Sequence, residues 1–205
     1  MTIGNTKTNA ILKRARRTLK SAQYGLEQLA SENPELRRIG LKDAVVYGRA
    51  VTNVLENLRS IEPDFEQWYD GWRIKLKDDP ISSYLYKLRS QILKQGRVAT
   101  SVTLSFDVLS SSMIAGAMRD RPFGAKGFVI GDDLGGSGWE VAKSHGETEI
   151  QYVPSSLEPG IGKRVEFHFV DAPENIRRIS VNRICGHYID LMTAIVDDAW
   201  NRFGK

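Results

Sequence analysis

The spacing of apolar residues switches twice along this chain, and the two switches limit its fold more than any other feature. Up to Gly96 apolar positions recur every three or four residues. Over 102–170 they alternate, and from Ser180 onward the helical spacing returns. A period of 3.6 places side chains on one stripe of a helix, and a period of two places them on one face of a strand. The order expected is helices, then strands, then a last helix.

In the first helix Leu12, Ala15, Leu19, Ala22, Leu26 and Leu29 share a stripe, and Asn33-Pro34 stops it, because a residue before proline avoids the α region. A second helix is expected over 42–61, striped by Tyr47, Val51, Val54, Leu58 and Ile61 and ended by Pro63. A third, over 64–77, carries Phe65, Trp68, Tyr69, Trp72 and Leu76, with Asp64 placed to cap it. Rings at this spacing are core material, since each buries a large apolar area. Asp79-Pro80 opens a fourth with an N-cap residue and a proline at the first helical position. Its apolar face is Ile81, Tyr84, Leu85, Leu88 and Ile92, and Gly96 stops it with a left-handed cap.

Val102, Leu104 and Phe106 then alternate with Thr103 and Ser105. Further strands are expected at 127–130, 139–143, 147–153 and 164–170, with a hairpin turn at His145-Gly146; the stretch 109–121 fits neither period. The last helix, about 180–203, is striped by Ile184, Tyr188, Leu191, Ile195 and Ala199. The class is α+β, mainly α: a helical bundle with a β-rich insertion before the C-terminal helix. Helices lie within 8–96, the insertion at 99–171, and the final helix packs back on the bundle, in one domain spanning 1–205.

With 205 residues and 41% apolar content, the chain can bury a real core. No apolar run approaches the roughly 18 residues of a membrane span. No apolar segment follows Lys7, so a secretory signal is not expected. Cys185 is the sole cysteine, which excludes an internal disulfide and a multi-cysteine zinc cage. A cytoplasmic protein without metal or cofactor is expected. The net charge of +4 names no partner. Its distribution says more: Lys13, Arg14, Arg16, Arg17 and Lys20 crowd the first helix, and acids return at Glu27, Glu32 and Glu35. Either this is a solvated helix face, or it meets a phosphate backbone.

The run from Asp79 through Tyr84, Leu88, Arg89, Ser90, Lys94 and Gln95 to Gly96 resembles the signature helix of HEPN-type bacterial helical-bundle proteins. The segment Phe65-Glu66-Gln67-Trp68-Tyr69 and the last helix through Arg183 and His187 resemble relatives of that type. The family's hallmark is an arginine, a polar residue such as asparagine, and a histidine four to six residues on. Arg89 matches the arginine, Ser90 stands for the asparagine, and Lys94 or Gln95 stands where the histidine belongs. The resemblance implies a dimer that binds RNA or a cognate protein partner, of toxin–antitoxin or defence type. Many members are metal-independent ribonucleases. Such chemistry needs a group that moves protons near neutral pH, and lysine, with a reference pKa near 10.4, does so poorly. Loss of the histidine therefore points to a binding module without full nuclease activity. The alternatives are a ribonuclease using Arg89, Lys94 and His187, the last supplied in space by the final helix, and a structural homo-oligomer.

Other features carry less. The tract Gly131-Asp132-Asp133-Leu134-Gly135-Gly136 lacks the Gly-Lys-Ser/Thr of a phosphate loop and reads as a strand connection. His145 falls in the expected turn and His168 on the polar side of a strand. Cys185 and His187 are two apart on a helix, so they point to different faces and form no dyad. Gly186 inside that helix suggests close packing, since glycine costs about 1 kcal/mol relative to alanine there.

Overall fold

The computed structural model describes residues 3–96, 98–106, 119, 121–130, 137–143, 147–153 and 163–204. Helices α1 (Ile3–Leu29) and α2 (Pro34–Leu55) form an antiparallel pair, and a 3-10 turn, Glu56–Ser60, follows. Next come α3 (Phe65–Asp78) and α4 (Pro80–Gln95), strands β1 (Thr100–Phe106), β2 (Ala125–Ile130), β3 (Ser137–Ala142), β4 (Thr148–Tyr152) and β5 (Lys163–Phe169), then α5 (Glu174–Arg177) and α6 (Val181–Phe203). The described residues are thus mainly helical, with a small antiparallel sheet region before the last helix.

Local chemistry explains most of these bounds. Asp79 Oδ1 accepts the Ser82 N–H at 2.7 Å and Pro80 begins α4, while Gly96 closes it at φ 71°. The same grammar starts α2: Asn33 Oδ1 accepts the Glu35 N–H at 2.9 Å, with Pro34 next. Asn33-Pro34 is thus an N-cap that opens α2 at once, not merely a stop. Asp64 makes no cap bond; its carboxylate accepts from Arg202 at 3.2 Å instead.

The α2 stripe differs in part from the expected one. Val51 and, in the 3-10 turn, Leu58 are buried as expected and Val54 and Ile61 pack on the core, but Tyr47 is exposed and the buried face also takes in Leu41, Ala44, Val45, Gly48 and Leu55. Glycines stand on that side of α2 where a neighbour comes closest. A Cβ on Gly40 would lie 2.5 Å from Gly25 O, and one on Gly48 would lie 2.5 Å from Tyr188 Cε1. Gly186, by contrast, has nothing within 4 Å of its would-be Cβ, so the expected close packing there is absent.

Helix α6 returns against α1 and α2, and one core joins Leu12, Leu55, Leu85, Leu88, Ile184, Met192 and Ile195. Burying each such side chain contributes about 1.5–3 kcal/mol. Strands β1 and β5 pair antiparallel, Thr100 opposite Phe169, and Phe167 and Phe169 sink into this core. Glu166 is exposed on the opposite face, as the alternation requires. Strands β2–β3–β4 form a separate antiparallel meander, whose buried Trp139 meets Phe128 edge-on at 4.9 Å, apart from the main core. Lys143 N donates to Glu147 O at 2.7 Å, joining the ends of β3 and β4; the turn expected at His145-Gly146 lies outside the described residues, as do Asp132 and Asp133. No helix among the described residues is long and apolar enough to cross a membrane.

Candidate nucleic-acid interface

The basic cluster of α1 becomes a surface feature with a floor. Lys13, Arg16, Arg17 and Lys20 line one groove with Trp200 of α6. Their spacing of three, four and seven puts them on one helix face, and all four are exposed because Leu12, Ala15 and Leu19 take the buried face. Arg14 is exposed too, but lies about 100° round the helix from Lys13 and does not line the groove.

The groove is electrostatically open. Arg16 alone among its cations is paired, to Asp197 at 3.2 Å, and both partners are more than half exposed, so the pair stabilises little. The Arg16 guanidinium also lies over the Trp200 ring, 5.0 Å from its centroid. Lys13, Arg17 and Lys20 form no ion pair among the described residues. The Trp200 indole N–H is buried and has no acceptor among the described residues. Sequence reasoning found the cations but missed Trp200, whose place beside them depends on how α6 docks.

The other expected site residues are not gathered. His187 Nε2 lies 2.9 Å from Asp79 Oδ2, at the N-cap of α4. Burial alone would raise the Asp79 carboxyl, but hydrogen bonds from Ser82 and His187 outweigh it and hold it below the ordinary 3.8. Arg89 sits ten residues further along α4, half-buried, its Nε without a partner and close enough to Tyr188 to favour that phenol's ionised form. Lys94 is exposed in the last turn of α4, fifteen residues and so roughly 22 Å of helix axis from Asp79. His187 and Lys94 therefore stand at opposite ends of one helix. His168 is 4.0 Å from Glu166 and touches none of these groups. Among the described residues no cluster of three or more His, Cys, Asp or Glu side chains is placed to hold a metal.

The HEPN resemblance is overturned. The family model that matches the chain, over residues 10–178, is that of bacteriophage lambda protein ea47, and no HEPN family matches. The physical reason for the false likeness lies in α4: an Asp cap, Pro80 at the first position, an amphipathic middle and a left-handed Gly96 are what any well-bounded helix needs. Such a run around a single arginine is helix grammar rather than a catalytic signature. No curated protein and no solved structure matches the chain. The family match runs from α1 to the end of α5 and covers most of the sequence, so the chain belongs to the family of bacteriophage lambda protein ea47.

Proposed function

We propose that this protein is a binding module for single-stranded nucleic acid, without nuclease activity of its own, acting in the cytoplasm. One observation carries the reading: four cations of α1 line one groove with an aromatic ring from α6. Single-strand binders combine a positive track for the phosphates with rings on which bases stack, each stacked base contributing about 1–3 kcal/mol. Trp200 supplies the ring; Lys13, Arg17 and Lys20 supply unpaired charge. The separation of Arg89, Lys94 and His187 supports binding rather than cleavage. The dimer and the cognate protein partner were implied by the HEPN resemblance and lose that basis with it.

The test is fluorescence anisotropy with a short labelled RNA and the matching DNA across a salt series. Four phosphate contacts at about 0.7 each predict a log–log slope near −3 for a single strand. Lys13→Ala/Lys20→Ala should lower that magnitude by about 1.4, and Trp200→Phe should weaken binding without changing the slope. Absence of binding even at low salt would refute the proposal. Equal affinity for RNA and DNA would mean that the sugar is not read.

A further inference from the structure

A second cleft, which shares no lining residue with the groove, opens between α2, α3, α4 and α6, with a volume of about 300 Å³. That is the lower end of the range of small-molecule sites, roughly 300–1,000 Å³. Its walls carry four cations, Arg49, Arg73, Lys77 and Lys87, and no carboxylate. They come from three helices, so no run of sequence reveals the cluster. Arg73 is paired with Asp70 at 2.8 Å, outside the lining. Lys77 and Lys87 form no ion pair among the described residues. Like charges brought together round a cavity repel one another unless an anion joins them.

The cleft's lining also includes hydroxyl-bearing side chains. Tyr188, 4% exposed, lines the cavity from α6. Ser82 also lines the cleft, but its hydroxyl is buried against the Asp79 carboxylate and is not offered to the cavity. Burial pushes the phenols of Tyr188 and Tyr69 upward, the latter helped by Glu56, so both stay neutral at physiological pH; the Tyr69 hydroxyl donates to Glu56 Oε1 at 3.2 Å, while that of Tyr188 can donate to an anion. Beside them Arg49 lies over the Tyr86 ring, 5.1 Å from its centroid, and contacts the Thr52 hydroxyl. Cations thus stand next to aromatic and apolar surface, which suits a ligand with a charged end and a planar body.

We infer that this cleft binds a small phosphate ester of mononucleotide size, its phosphate held by Lys77, Lys87 and the Tyr188 hydroxyl, and its ring against Tyr86 and Tyr69. The site is separate from the α1 groove and does not depend on the strand-binding reading.

Calorimetric titration of the full chain with adenosine 5′-monophosphate tests it, alongside adenosine and inorganic phosphate. Saturable binding with Kd of about 1 mM or tighter is expected. Adenosine and inorganic phosphate should each bind at least roughly tenfold more weakly, because each lacks half of the recognised chemistry. Lys77→Ala/Lys87→Ala should weaken the nucleotide at least roughly tenfold, and Tyr188→Phe, which keeps the ring and removes the hydroxyl, severalfold. Arg17→Ala/Lys20→Ala should leave it unchanged. No saturable binding at millimolar nucleotide would overturn the inference. So would wild-type affinity in both cleft variants, or loss of affinity in the groove variant, which would place the nucleotide on α1.

Discussion

Two glycines set opposite expectations, because the surroundings of a missing Cβ decide what it does. Gly40 faces the backbone of α1, where an added methyl would meet Gly25 O and Leu29 N, each at 2.5 Å. Neither helix can give way without losing the packing of Leu29, Leu41 and Ala44, so Gly40→Ala should cost about 3 kcal/mol or more in chemical denaturation. Gly186 faces open space inside α6, so Gly186→Ala should gain about 1 kcal/mol from helix propensity alone. Asp79 makes a different residue-scale prediction. Its carboxyl is held below 3.8 in the fold by hydrogen bonds from Ser82 and His187 that outweigh burial. A carboxyl depressed in the folded state contributes stability above its unfolded pKa, lost as pH falls through the folded value. Between about pH 5 and pH 2 the wild type should lose more stability than Asp79→Asn, which keeps the cap oxygen but cannot titrate. Parallel stability–pH curves for the two proteins would show that the pair is electrostatically idle.

At the scale of elements, one side chain docks α3 onto α6. Asp198 Oδ2 accepts the indole N–H of Trp68 at 2.7 Å and that of Trp72 at 2.6 Å. The two donors are four residues apart and so share one face of α3, and Phe203 meets the Trp68 ring edge-on at 5.3 Å. Removing a charged acceptor strands two part-buried donors at once. Asp198→Ala should therefore lower stability by about 2–3 kcal/mol, with a shift in tryptophan emission, and Asp198→Asn should recover part of the loss through its remaining oxygen. A loss below about 0.5 kcal/mol would mean that water replaces the carboxylate. The same element contact shapes the second cleft, since Tyr69, Arg73 and Lys77 reach it from α3.

For the whole molecule, α6 is the element round which the others are arranged. It packs on α1, α2, α4 and β5, and Cys185 sits in that shared core, 1% exposed, its thiol pushed up to about 12 by burial. A thiol so placed can react only when the core opens. Native-state labelling by a disulfide reagent should be at least about a thousandfold slower than in guanidinium, as a global stability of 5 kcal/mol or more requires. Rapid labelling in native buffer would show instead that α6 opens locally while the rest stays folded.

What the chain determined by itself were the features governed by neighbours in sequence. The caps at Asn33 and Asp79, the left-handed stop at Gly96, the stripes of α1, α4 and α6 and the alternation in β5 all follow from backbone sterics and local periodicity. The cations of α1 were legible for the same reason, since exposure on a helix follows from which face is apolar. Only the tertiary structure decided that the buried face of α2 takes in Gly48 and leaves out Tyr47, because close approach at Gly40 and Gly48 favours glycine over the large residues that mark a stripe. It also decided that Trp200 closes the α1 groove, that His187 meets Asp79 at one end of α4 while Lys94 stands at the other, and that cations from three helices share a cleft. Those are juxtapositions of residues far apart in the chain, and they are set by how the buried stripes pack together rather than by any spacing within a segment.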